Sequence, residues 1–178
     1  HVTQVHVLTE KEFTFNSSLF GHNIHKLVQH VVYKRLTFDY AFNYCNKYIS
    51  KGHICCVTNA DIYFNDQSIN NMIPKIKNET VYATLRYEND GQLLPRIDSQ
   101  DSWIFKSPIY INNIHFEIGR LRSDNRIASQ IIDSKYRIIN NPFVIHTHHL
   151  QSNDNRPGRT NIEQIPGKTT NILLNMEM

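Results

Sequence analysis

Residues 58–66 read TNADIYFND and follow directly on the apolar run HICCV. A carboxylate at the end of such a strand is expensive to bury unless a metal ion, a cation or a backbone donor meets it. Asn59 and Asp61 stand two residues apart, on one face of an extended chain. A divalent ion bound with a diphosphate takes a hard oxygen ligand from protein and the rest from phosphate and water, and one carboxylate with a polar partner suits that need. The plainer alternative is an Asx turn that ends the strand, with Asn65 and Asp66 as further turn residues.

Three other stretches carry side chains capable of chemistry. In IHTHHLQS, residues 145–152, His146 and His148 share a strand face and His149 points the other way or opens a loop. Imidazole is a good ligand for Mn or Zn, although a zinc site needs further ligands; solvated histidines at a strand end are the alternative. RIDSQDSWIFKSP, residues 96–108, sets Asp98 and Asp101 ahead of an apolar strand with the only tryptophan, Trp103. That indole is either a core residue or a stacking platform for a sugar. In IGRLRSDNRIAS, residues 118–129, Asp124 falls at the start of a helix. The helix dipole and free amides there favour an ionised carboxylate; a simple N-cap, worth about 1 kcal/mol, is the alternative.

The elements that must position these residues follow from periodicity. VTQVHVLT (2–9) alternates as a strand. LTFDYAFNYCNKYISKG brings Phe38, Phe42, Cys45 and Ile49 onto one helix face, with Gly52 just beyond the end. HICCVTNADIYF is rich in strand formers, DQSINNMIPKIK reads as a short helix or turn, and VYATLRYE and DSWIFKSP read as strands. SDNRIASQIIDSKY predicts a helix capped by Ser123 or Asp124, with Ile127, Ile131 and Ile132 inward. RIINNPFVIHTHH gives two short strands broken at Asn141-Pro142. The alternation predicts an α/β class with a mainly parallel sheet. In such sheets function collects at the carboxyl ends of strands, which is where Asn59 and Asp61, Arg86 and Glu88, and His148 and His149 fall.

The chain has 178 residues, 40% of them hydrophobic, enough for one domain with a real core. A net charge of +3 from scattered Lys and Arg gives nucleic-acid binding little support. Cys45, Cys55 and Cys56 match no zinc spacing and read as thiols in a reducing compartment. No run approaches the roughly 20 apolar residues of a membrane span, and no signal peptide is readable. The expectation is a cytoplasmic protein, or a domain carried in a larger cytosolic or viral one.

Taken in order, NADIYF, SQDSWIF, SDNRIA and NPFVIHTHHLQS resemble a small GT-A-fold glycosyltransferase family of large DNA viruses, which includes a chlorovirus domain that adds a deoxysugar and has bacterial and plant relatives. The family pattern runs as a strand ending NADIYF, then TRYE, SQDVWIF, GCDNRIA, and NPS with a His-rich strand. The resemblance covers about residues 5–152, leaving 153–178 as a C-terminal extension of a single domain. In this chain Arg122-Ser123 stands in place of the pattern's Gly-Cys, and Gln151 in place of a second late histidine.

The resemblance implies a GT-A fold lacking its first strand. It also implies transfer of a sugar, hexosyl or deoxyhexosyl, from a nucleotide-diphosphate donor to the hydroxyl of a glycan or glycoprotein, with Mn2+ or Mg2+. Asp61 and His149 would be metal ligands; Arg35, Asn59, Asp61 and Arg86 would meet the donor. Asp124 would be the general base of an inverting reaction, with Asp101 as the second candidate, and Trp103 and Arg126 would face the acceptor. A degenerate sugar- or partner-binding module, and a nucleotidyltransferase or zinc hydrolase, are the alternative functions.

Overall fold

The computed structural model describes residues 2–65, 67, 69–70, 73–88, 90–150 and 164–175. Asp66, Gln151 and most of the expected C-terminal extension lie outside them. The expected helix over the FDYAF stretch is α2, Phe38–Tyr48, preceded by a short α1 at Ser17–Phe20. Phe38, Ala41 and Phe42, three of its four buried residues (the fourth is Tyr44), recur at helical spacing, and Gly52, at φ +85°, turns the chain into the next strand. Strand β1 (Val5–Thr9) pairs in parallel with β2 (Leu27–Val31) in a separate two-stranded sheet. Tyr44 of α2 reaches that sheet through His6 Nδ1 (2.9 Å), and Tyr40 through His30 Nε2 (2.6 Å).

The centre of the molecule is a four-stranded sheet of β3 (Ile54–Thr58), β5 (Thr80–Thr84), β7 (Ser102–Lys106) and β8 (Arg137–Ile139), in the order β3-β7-β5-β8. β3 and β5 both run antiparallel to β7, while β5 and β8 are parallel. The sheet is therefore mixed, not mainly parallel: β7 enters between β3 and β5 in the reverse direction. A second sheet of three strands, β4 (Ile62–Phe64), β9 (Thr147–His149) and β6 (Arg86–Tyr87), is mixed as well, with β4 antiparallel and β6 parallel to β9. The single strand expected over VYATLRYE thus divides at Leu85 between the two sheets.

Cys55 is buried and Cys56 exposed, on opposite faces of β3 as adjacent strand residues must be. Helix α3, Ser123–Asp133, covers the sheet with Ile127 and Ile131, both at 0% exposure, but Ile132 is turned outward at 42%. Five residues on from Ile127 the helix has rotated about 140° past that face. Phe38, Phe42, Val81, Trp103, Phe105 and these two isoleucines share one core, and each such buried side chain contributes roughly 1.5–3 kcal/mol. Ile172 belongs to the same core, so residues 164–175 are an integral part of the fold. No helix among the described residues is long and apolar enough to cross a membrane.

Candidate active site

Because β7 is reversed, its amino-terminal end lies beside the carboxyl ends of β3 and β5. Asp101, just ahead of β7, is held there by its backbone: its N–H donates to Thr84 O (3.3 Å), and its carbonyl accepts from Asn59 N–H (3.0 Å). Its carboxylate accepts from Asn59 Nδ2 at Oδ1 (3.0 Å) and from Arg86 Nη1 at Oδ2 (2.8 Å). Arg86 and Asp101 are both buried, at 6% exposure. Arg86 Nε also donates to Glu88 Oε1 (2.9 Å). The guanidinium thus joins two carboxylates, and burial without either would be severely unfavourable.

Glu88 continues the chain of contacts. Its Oε2 lies 3.6 Å from His149 Nδ1, and His149 Nε2 donates to Asp61 Oδ2 at 3.1 Å. His149 faces Asp61 from β9 because it pairs with Ile62, and Leu150 N–H donates to Asp61 O (2.9 Å). His148 points to the other face, stacked on Tyr63 with ring centres 4.9 Å apart, and His146 bonds the carbonyl of Phe143. Of the three late histidines, His149 is the one beside Asp61.

A divalent ion in octahedral coordination holds adjacent ligand atoms about 3 Å apart, since each bond is about 2.1 Å and the angle about 90°. The 3.1 Å between Asp61 Oδ2 and His149 Nε2 fits such a pair. Glu88 stands where a metal-ligating imidazole usually finds a carboxylate on its other nitrogen. No group of three or more ligating side chains occurs among the described residues. Asp61 and His149 could thus supply two ligands to an ion whose remaining ligands would come from elsewhere.

Asp124 approaches from the other side. It lies in the first turn of α3, whose start is Arg122 at φ +69° and not the expected Ser123 or Asp124 cap. Ser99 Oγ (3.5 Å), Ser123 Oγ (3.4 Å) and the Gln100 backbone amide donate to its carboxyl. Burial and the neighbouring Asp101 charge nevertheless push its pKa up to about 7. This reverses the sequence expectation of an ionised, lowered carboxylate: the loss of solvent and a like charge outweigh the donors around it.

Comparison of the chain with protein-family models, curated proteins and solved structures gives no match.

Six of the expected site residues therefore converge: Asn59, Asp61, Arg86, Asp101, Asp124 and His149. Three do not join their network of contacts. Trp103 is 2% exposed within the main core; its ring is a packing element and offers no face to a sugar, which corrects the stacking reading. Arg126 Nη1 donates to Lys168 O (3.0 Å), toward the C-terminal segment. Arg35 pairs with Glu10 (3.7 Å) and donates to Ile118 O (3.2 Å) at the surface. Arg86, expected to meet a donor, is engaged by protein carboxylates instead. Glu88, expected only as a polar residue at a strand end beside Arg86, is the link between Arg86 and His149.

Proposed function

We propose that the chain is a metal-dependent glycosyltransferase of GT-A type, acting with inversion on a nucleotide-diphosphate sugar and an acceptor hydroxyl. The observation that carries this reading is the convergence of two unlike pairs, Asp61 with His149 and Asp101 with Asp124, linked through Arg86 and Glu88. One pair suits a cation that meets a diphosphate, and the other suits a proton acceptor. A second support is local: Arg122 adopts the left-handed conformation that glycine takes freely, at the position where the resembled pattern carries Gly.

Asp61 and His149 would hold the ion. Bound there, a divalent ion would offset the charge of the departing diphosphate. Asp124 takes the proton from the acceptor hydroxyl as its oxygen attacks the anomeric carbon, and a base titrating near working pH suits that task. Asp101, held by Arg86 and Asn59, raises the basicity of Asp124 as a neighbouring negative charge. A zinc hydrolase would require at least a third protein ligand, which the described residues do not provide.

Calorimetry with nucleoside diphosphates and Mn2+ tests the reading. Asp61→Ala should lower affinity at least tenfold, roughly 1.4 kcal/mol. Unchanged affinity in the folded variant, or absence of Mn2+-dependent binding in the parent, would remove the metal-donor assignment.

A further inference from the structure

The four-stranded sheet carries a second, smaller core on the face away from α3. Tyr82, Ile104, Ile139 and Ile145 form it with Ile76, which is 1% exposed. Lys75 and Lys77, on either side of Ile76, are exposed. One buried side chain thus anchors this stretch while its two neighbours present ammonium groups to solvent. Lys106 reaches the same place from the sheet. It ends β7 opposite Ile54 of β3, and shares a strand face with Ile104, two residues before it.

A cavity of about 570 Å³ opens there, lined by Pro74, Lys75, Ile76, Lys77, Asn78 and Lys106. Three of these residues are cations and none is an acid; Glu79, next along the chain, does not line it. Neither Lys77 nor Lys106 has an ion pair or a side-chain hydrogen bond among the described residues. Like charges gathered around a concave surface raise the local concentration of anions, and the Asn78 amide adds a neutral donor. No guanidinium lines the cavity, so it lacks the planar fork that matches a carboxylate; ammonium groups respond to charge density instead. A phosphomonoester, with a charge of about −1.5 to −2 at neutral pH and three acceptor oxygens, meets that demand better than a carboxylate.

We propose that this cavity is an anion site for a phosphomonoester group, at the opposite end of the sheet from the candidate active site. Asp101 precedes β7 and Lys106 ends it, so the five residues of that strand, about 17 Å, separate the two. The group held by the lysines is therefore distinct from the diphosphate proposed to meet Asp61, and the assignment does not depend on the glycosyltransferase reading. The ester is carried either on a soluble molecule or on a lipid headgroup.

The probe is inorganic phosphate, titrated into the full chain and followed by amide NMR, with sodium chloride at matched ionic strength as the reference. Amides of residues 75–78 and 105–106 should move along one saturating curve that chloride does not reproduce. Lys77→Gln or Lys106→Gln should weaken phosphate affinity about threefold, and the two together about tenfold, as the loss of exposed ion pairs predicts. Lys77 is exposed, so its variant serves if Lys106→Gln does not fold. Asp61→Ala should leave the curve unchanged. Vesicles of phosphatidylcholine with phosphatidic acid decide the source of the ester. Co-sedimentation that Lys77→Gln reduces assigns a lipid headgroup, and phosphate binding without co-sedimentation assigns a soluble ester. Shifts that chloride reproduces, a phosphate curve without saturation, affinity unchanged in the folded lysine variants, or binding abolished by Asp61→Ala would each overturn the proposal.

Discussion

Replacing Asp124 by Asn should make the protein more stable, by an amount that grows with pH. Asp124 titrates at about 7 in the folded chain, against an ordinary 3.8. Between those values the native state holds a proton that the unfolded chain has released, so stability falls as pH rises. The separation of about 3 units corresponds to about 4 kcal/mol, reached by pH 8, with roughly 1.5 kcal/mol already lost at pH 5. Asn keeps an acceptor oxygen for Ser99, Ser123 and the Gln100 amide but carries no charge, so it escapes both the desolvation and the repulsion from Asp101. Urea unfolding of parent and Asp124→Asn at pH 5, 6, 7 and 8 measures the effect; the gap in favour of the variant should widen by about 2–3 kcal/mol across that range. A gap that is constant, or that narrows as pH rises, would refute the argument that burial and Asp101 govern this carboxyl. Asp98 supplies the opposite sign as a control. Arg96 holds its pKa below the ordinary value, so any stabilisation from Asp98 is present above that value and lost on acidification.

Arg86→Met should cost about 3–5 kcal/mol, because it strands the buried Asp101 carboxylate. Arg86→Met with Asp101→Leu should regain most of that in thermal melts, at about 2–4 °C per kcal/mol, and a single-variant loss below about 1 kcal/mol would contradict the buried pairing. If Asp124 is the base, turnover at saturating donor should fall about tenfold per pH unit below about pH 6; a flat acid limb in the pH–rate profile would exclude it. Trp103→Phe should lower stability by less than the about 3–5 kcal/mol of a Trp→Ala change and leave acceptor KM unchanged, whereas a raised KM with unchanged stability would restore the sugar-platform reading.

The two long helices were legible because their apolar residues recur at helical spacing, and Phe38 with Phe42, and Ile127 with Ile131, are buried as that spacing requires. Strand direction was not legible. Nothing in DSWIFKSP distinguishes a parallel from an antiparallel neighbour, and it is the reversal of β7 that brings Asp101 to Asn59 and Arg86. The alternation of VYATLRYE runs unbroken through Leu85, so its division between sheets is a tertiary event without a local signal. At Asp124 the local argument had the wrong sign: helix amides were visible in the sequence, while the opposing burial and the Asp101 charge depend on partners over 20 residues away. Residues 164–175 carry no periodicity that marks them as part of the core, although Ile172 completes it.

The division at Leu85 has a consequence for how such a site can be altered. Asp61, Glu88 and His149 are carried by or beside the three-stranded sheet; Asp101 precedes a strand of the four-stranded sheet, and Asp124 belongs to the helix that covers it. Leu85 is the single residue between β5 and β6, with 1% exposure, and its carbonyl accepts from Thr147 Oγ1 at 2.6 Å. It acts as the rivet of a two-leaf joint, and the next residue, Arg86, spans both leaves. The chain also crosses between the leaves at residues 59–61, from β3 to β4, so the spacing between the proposed cation-binding pair and Asp124 depends on two short crossings. Changes elsewhere in either leaf can reshape its own half of the site, as long as these crossings and the Arg86 contacts that span them are kept.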